Sequence, residues 1–199
     1  MGAMAIKAII FDLGRVVIDF DHRIAADKIA GLAGKSSQDI FNLFFDSPLI
    51  QSFEEGNITP VDFFNEVKKA LSLGISFAEF LPIWNEIFFL TEENKAVYDL
   101  ANKLRKSYQL ALLSNVNKLH FEYIRKNFSI LRPFHHLLTS YELGFSKPDP
   151  LIYQKTLKVL KVLPQESFYV DDRSELIEAA AELGIRSFVF KTLCLVILQ

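Results

Sequence analysis

The chain has 199 residues, half of them apolar and 23% charged, which is globular composition and excludes a disordered chain. At ~100–200 residues per domain it holds one domain, with room for an inserted subdomain. Its 22 Lys and Arg against 24 Asp and Glu leave a net charge of −2, so no basic excess exists to drive binding to nucleic acid.

The first predicted element is a strand at Ala8-Ile9-Ile10-Phe11, β-branched and aromatic, ending at Asp12. Residues 20–91 follow with a different character. They are Phe-rich, contain no good strand, and read as amphipathic helices over Ile24–Leu32, Gln38–Phe45, Pro60–Leu71 and Phe77–Phe89, punctuated by Gly31, Gly34, Pro48, Gly56 and Gly74. Some 70 residues of helix is too much for a crossover between strands, so this segment is expected to be a helical insertion. Its phenylalanines (Phe41, Phe44, Phe45, Phe63, Phe64, Phe77, Phe80, Phe88 and Phe89) are expected to form the insertion's core.

From Lys95 onward, helices alternate with short apolar runs. The helices are Lys95–Lys106, Lys118–Asn127, Pro150–Val162 and Ser174–Leu183, the last closed by Gly184. The runs are Gln109–Leu113, His136–Ser140, Ser167–Val170 and Ser187–Phe190. Continuous rather than alternating apolar character marks strands buried on both faces, hence a parallel sheet. The alternation predicts a doubly wound α/β fold, with residues 1–19 and 92–199 as its core and 20–91 as the insertion. The stretch Ile185–Leu198 is broken by Arg186 and Lys191 and is shorter than the ~20 residues a bilayer span needs. Thr192–Gln199 carries no cap or turn signal and fits a last strand, a packed turn or an adhesive tail equally. The one cysteine, Cys194, excludes an internal disulfide and fits a reducing compartment; it is expected to be buried rather than reactive. No secretory signal is read at the start, and a cytoplasmic protein that enters no membrane is expected.

Polar groups stand just after four of these segments: Asp12, Ser114-Asn115, Lys147 and Asp171-Asp172. Ligands of open parallel sheets bind beyond the carboxyl ends of the strands, so all four should meet in one crevice. Three carboxylates can hold a hard cation such as Mg²⁺ and supply a nucleophile. A lysine can neutralise a phosphoryl group, while a hydroxyl and backbone N–H groups hold its oxygens. Each piece alone has an ordinary structural reading. An Asp after a strand is a turn residue, Ser-Asn before a helix is a capping pair, and Lys147-Pro148-Asp149-Pro150 starts a helix. The adjacent acids Asp171 and Asp172 are harder to explain so, because they repel without a cation or donors nearby. His22, His135 and His136 show no metal-ligand spacing; a cap or substrate contact stays open for His22 alone.

With these residues in this order, the chain resembles the haloacid dehalogenase-like hydrolase superfamily. The resemblance rests on Ile9–Val17, Leu112-Leu113-Ser114-Asn115, Ser146–Tyr153 and Tyr169-Val170-Asp171-Asp172-Arg173. It implies a Rossmann-like core with a helical C1 cap. Glu54-Glu55-Gly56-Asn57-Ile58-Thr59-Pro60 looks like the cap of its small sugar-phosphate phosphatases, a subgroup that includes glucose-1-phosphate phosphatase. The resemblance implies that Asp12 is a nucleophile forming an aspartyl-phosphate. It implies that Asp12, the Gly14 carbonyl and Asp172 hold Mg²⁺, with Asp171 assisting through water. Ser114 and Asn115 would hold phosphoryl oxygens, and Lys147 would lie between Asp12 and the phosphate. The expected partner is a small phosphorylated metabolite.

One departure matters. Most phosphatases of the superfamily carry a second Asp two residues after the nucleophile, which protonates the leaving group and activates water. Here Gly14 takes that place, followed by Arg15 where Gly is usual. Slow turnover of poor leaving groups is expected, and anomeric phosphates, which leave more readily, are expected to suit the chain better. A carboxylate restored by Gly14→Asp is expected to speed alkyl phosphate hydrolysis. Two alternatives accompany this reading. A catalytically weak binding or scaffold protein is favoured by Gly14 and the apolar tail and opposed by Asp12, Lys147 and Asp172. A dehalogenase also lacks the second Asp, but its chemistry needs no Mg²⁺, which leaves the double Asp unexplained.

Overall fold

The structure is a computed structural model and describes residues 4–45 and 47–191. Cys194 and the Thr192–Gln199 tail lie outside the described residues. Five parallel strands make the central sheet. In chain order they are β1 (Ala8–Phe11), β4 (Gln109–Ser114), β5 (His136–Thr139), β6 (Ser167–Asp171) and β7 (Arg186–Val189), arranged β5-β4-β1-β6-β7. The chain winds outward from β1 through β4 to β5, then returns to the other side of β1 for β6 and β7. The crevice between β1 and β6 is therefore the topological switch point, where such sheets bind ligands.

Alternate residues of each strand enter different cores. Ile9, Phe11, Leu110 and Leu112 pack with Val97 and Ala101 of α6 (Glu92–Leu104) and with Phe121 and Ile124 of α7 (Lys118–Asn127). Ala8, Ile10, Ala111, Leu113 and Tyr169 pack on the other face. Their partners are Ile152, Tyr153 and Leu157 of α9 (Pro150–Leu160) and Ala180 of α10 (Ser174–Glu182). Coverage of both faces is what the continuous apolar runs require. A short helix, α8 (Ser140–Leu143), follows β5 directly.

Residues 22–85 form five helices: α1 (His22–Ala33), α2 (Ser37–Phe45), α3 (Pro48–Glu54), α4 (Pro60–Leu71) and α5 (Phe77–Asn85). They enclose their own core of Ile29, Ile40, Phe44, Phe53, Phe63, Phe64, Phe80 and Trp84. Each such side chain contributes about 1.5–3 kcal/mol by leaving water, and stacked rings such as Phe53 on Phe63, 4.3 Å between centroids, add specificity. Three details differ from the sequence reading. Helix α3 was not anticipated: it starts at Pro48, with the Ser47 side chain accepting from the Ile50 N–H. Helix α5 stops at Asn85 instead of running to Phe89. The segment also holds a strand, β3 (Phe88–Phe89), paired antiparallel with β2 (Asp19–Phe20) where the chain leaves and re-enters the sheet layer. Apolar spacing alone could not separate Phe88 and Phe89 from the preceding helix, since short apolar runs fit either period. Among the described residues no helix is long and apolar enough to cross a membrane.

Candidate active site

Register brings the acids together. Phe11 pairs with Val170, and the Asp12 N–H donates to the Val170 carbonyl at 2.8 Å. Asp12 and Asp171 each follow that pair by one residue, so they stand side by side at the switch point. Lys147 reaches them from the loop before α9. Its Nζ donates to Asp12 Oδ1 at 2.7 Å and to Asp171 Oδ2 at 2.7 Å, and lies 3.1 Å from the Tyr169 hydroxyl. Tyr169 also donates to Asp171 Oδ2. Asp171 Oδ1 accepts from the Arg173 N–H at 3.0 Å. Lys147, Asp12 and Asp171 are all buried.

Charge balance follows from this packing. Burial pushes the Asp12 carboxyl up to about 6, against the pull of Lys147. Burial also works against the Asp171 carboxylate, but Lys147, Tyr169 and the Arg173 N–H together hold it below the usual range. Burial disfavours the Lys147 ammonium, yet its two carboxylate partners raise its affinity for the proton. Asp172 is half-buried, and burial beside Asp171 raises its carboxyl.

Asn115 holds the lysine in place. Its Oδ1 accepts from the Lys147 N–H at 2.7 Å and its Nδ2 donates to the Lys147 carbonyl at 2.8 Å. The side chain clamps the Lys147 backbone, and Asn115 still lines the cavity where a phosphoryl group is expected. Ser114 ends β4 and is buried at the edge of the same cavity.

That cavity encloses about 180 Å³ and is lined by both layers. The sheet side contributes Asp12, Gly14, Ser114, Lys147, Asp172 and Arg173; the ribbon and helical insertion contribute Phe20, His22, Glu54 and Phe88. Among the described residues, Asp12, Asp171 and Asp172 can each offer a carboxylate oxygen within 4.8 Å of the others. Two ligands opposite each other on Mg²⁺ stand roughly 4.2 Å apart, so the trio fits a hard cation after small side-chain adjustments. Both Asp171 oxygens already accept hydrogen bonds, whereas Asp172 makes no ion pair among the described residues. That favours Asp172 over Asp171 as a direct ligand.

Gly14 departs from expectation in a different way. A Cβ at this position would stand 2.7 Å from the Phe20 ring. The ring itself is held by His22, with centroids 4.6 Å apart, and by the Arg15 guanidinium 5.1 Å above it. An Asp at this position would therefore need the Phe20 ring to shift before its carboxyl could act. Arg15 sits in the left-handed region at φ 57°, a conformation that costs an L-residue about 1–2 kcal/mol and explains why Gly suits that position.

Sequence reasoning missed Tyr169, His120 and the role of Glu54. Buried His120 accepts from Asn117 Nδ2 at 3.0 Å and, in the tautomer this implies, donates from Nε2 to the Trp84 carbonyl at 3.0 Å. Burial, with His22 nearby, lowers its affinity for a proton to about 3. His22 is likewise lowered to about 3 by burial and Arg15. Both are neutral at pH 7. His120 carried a signal only in its Asn-x-x-His spacing at a helix start. Tyr169 carried none beyond its place in a strand.

Residues 9–190 match the haloacid dehalogenase-like hydrolase family. The chain belongs to that family. A D-ribitol-5-phosphate phosphatase of Bacteroides thetaiotaomicron is 29% identical over 189 residues, covering 92% of this chain and 91% of the relative. A crystal structure of a haloacid dehalogenase-family enzyme from the same organism, in complex with magnesium and inorganic phosphate, has a TM-score of 0.84 at 28% identity. It covers 94% of this chain and 96% of that one. An L-2-haloacid dehalogenase from Xanthobacter autotrophicus has a TM-score of 0.63 at 18% identity, covering 92% and 76%; this likeness shows the fold alone. The expected family, the α/β fold and the expectation of a phosphatase of this family are borne out.

Proposed function

We propose that the protein is a Mg²⁺-dependent phosphatase of a sugar or sugar-alcohol phosphate, working through a phosphoryl group carried on Asp12. The observation that carries this reading is the buried Asp12–Lys147–Asp171 cluster at the switch point, with Asp172 beside it. Asp12 is the nucleophile, and Lys147 keeps its carboxylate ionised and oriented. Asp12, Asp172 and the Gly14 carbonyl would hold Mg²⁺, with Asp171 acting indirectly while it anchors Lys147. The ion supplies neutralisation of phosphoryl charge. Ser114 and the backbone N–H groups near Asp12 bind phosphoryl oxygens, in the way donors stabilise charge in phosphoryl transfer. Residues 20–91 act as a cap over the core formed by 1–19 and 92–199, and the cap side chains read the rest of the substrate.

A cavity of about 180 Å³ is below the ~300–1,000 Å³ of drug-sized pockets, so it suits a small metabolite. The relative that acts on D-ribitol 5-phosphate supports a phosphate on a primary alcohol rather than on an anomeric carbon. Dehalogenase chemistry would leave Asp172 without a task. The test is a panel of sugar and sugar-alcohol phosphates assayed for phosphate release with Mg²⁺ and with EDTA. Hydrolysis that needs Mg²⁺ supports the reading. Equal rates with and without EDTA, or no hydrolysis of any member, overturn it.

A further inference from the structure

The second acid of the family is missing at Gly14, and the Phe20 ring fills the space where its side chain would project. A primary alkoxide leaves badly without a proton, so a phosphatase of sugar-alcohol phosphates needs a donor from somewhere else. We propose that Glu54, the last residue of α3, is that proton donor and acceptor. The inference rests on the phosphatase reading above.

Glu54 lines the same cavity as Asp12 and Asp172, but from the helical insertion rather than the sheet. Among the described residues its carboxyl makes no hydrogen bond and no ion pair. Its neighbour Glu55 differs: it turns outward to Gln51 and Asn57. The α3 end is fixed to the core rather than free to swing. The Ser140 hydroxyl, at the start of α8, donates to the Glu54 carbonyl at 2.5 Å and accepts from the Val116 N–H at 3.0 Å. Two residues on, Gly56 lies at φ 73° so close to α8 that a Cβ would stand 2.3 Å from the Tyr141 carbonyl oxygen. These contacts fix the Glu54 backbone against the core.

The other cavity side chains are poorer donors. Lys147 is committed to Asp12 and Asp171, Arg173 is held protonated beside Glu175, and His22 and His120 are neutral imidazoles. Burial, with Glu55 adjacent, pushes the Glu54 carboxyl up to about 7, against the nearby charges of Arg173 and Lys147. A carboxyl near working pH can both give and take a proton.

The steps balance. As Asp12 Oδ bonds to phosphorus and the ester P–O bond breaks, the Glu54 proton passes to the departing alkoxide oxygen. Water then attacks phosphorus and gives its proton to the Glu54 carboxylate. The Asp12–phosphorus bond breaks, and phosphate leaves with the enzyme restored.

The test is a leaving-group series, from p-nitrophenyl phosphate through less acidic aryl phosphates to primary alkyl phosphates, on the full chain with Mg²⁺. Wild type should show kcat/KM nearly independent of leaving-group acidity, because kcat/KM reports the steps up to departure of the leaving group. Glu54→Gln should lose about 10²–10³-fold in kcat/KM on alkyl phosphates and less than about fivefold in kcat/KM on p-nitrophenyl phosphate. Glu54→Asp should recover part of the alkyl kcat/KM, and Glu55→Gln should match wild type throughout. A steep dependence of kcat/KM in wild type, or equal losses of kcat/KM across the series in Glu54→Gln, overturns the assignment. Wild-type turnover of aryl but not alkyl phosphates overturns it while leaving the phosphatase reading intact. Turnover of neither overturns both.

Discussion

Replacing Lys147 with Met keeps a long unbranched side chain but removes the charge between two buried carboxylates. The lysine Nζ lies 2.7 Å from an oxygen of each, and Asp171 is 0% and Asp12 8% exposed. Removing one member of a buried ion pair leaves uncompensated charge and costs about 3–5 kcal/mol. At roughly 2–4 °C per kcal/mol for a chain of this size, Tm should drop by about 6–20 °C. The assay is urea and thermal unfolding followed by circular dichroism, in buffer with EDTA and again with Mg²⁺. Mg²⁺ should recover more stability in the variant than in wild type, because a cation again faces the carboxylates. Phosphatase activity should fall to background in both buffers. A variant within about 1 kcal/mol of wild type in EDTA would refute the view that Lys147 neutralises this cluster.

Gly14→Asp alone should destabilise the protein by about 1–3 kcal/mol through overpacking against Phe20, and adding Phe20→Ala should recover most of that in urea unfolding; a fully stable single variant contradicts the clash. The two adjacent acids should separate. Asp172→Asn should abolish Mg²⁺ stabilisation with little effect in EDTA, whereas Asp171→Asn should cost about 1.5–3 kcal/mol in EDTA by taking a charged partner from Lys147; calorimetric Mg²⁺ titration and urea unfolding check both, and interchangeable behaviour contradicts the division. The folded His120 binds its proton only near pH 3, against 6.5 for the free side chain, so its contribution is complete above about 6.5 and lost as pH falls toward 3. His120→Phe keeps the ring contact with Trp84 but cannot titrate. It should be less stable than wild type at pH 7, and the gap should narrow by about 1.4 kcal/mol per pH unit below 6.5. A gap that stays constant between pH 7 and 5 contradicts the neutral assignment.

The sheet was legible because its strands are short apolar runs ending in polar residues. Ala8–Phe11 agrees at both ends, and the other strands differ by one or two residues. The convergence of Asp12, Ser114, Lys147 and Asp171-Asp172 followed from strand direction alone. What pairs with what did not follow. Asn115 and Lys147 lie 32 residues apart, and nothing local indicates that one clamps the other's backbone. The obstruction of Gly14 by Phe20 depends on how the β2–β3 ribbon folds back, and that ribbon was hidden inside an apolar stretch read as helix. Glu54 was visible as part of a stretch resembling sugar-phosphate phosphatase caps. Its place in the same cavity as Asp12 required the docking of α3 on α8.

The central claim is that Asp12 carries the phosphoryl group. Wild-type protein turning over a sugar-alcohol phosphate with Mg²⁺ is quenched in acid, digested and analysed by mass spectrometry, with Asp12→Asn run in parallel. The account predicts one added phosphoryl group on the peptide containing Asp12 in wild type, no such adduct with EDTA, and background turnover by Asp12→Asn. A phosphoryl group trapped on another residue, or Asp12→Asn retaining more than about a tenth of wild-type kcat, a barrier change of only ~1.4 kcal/mol, would contradict it.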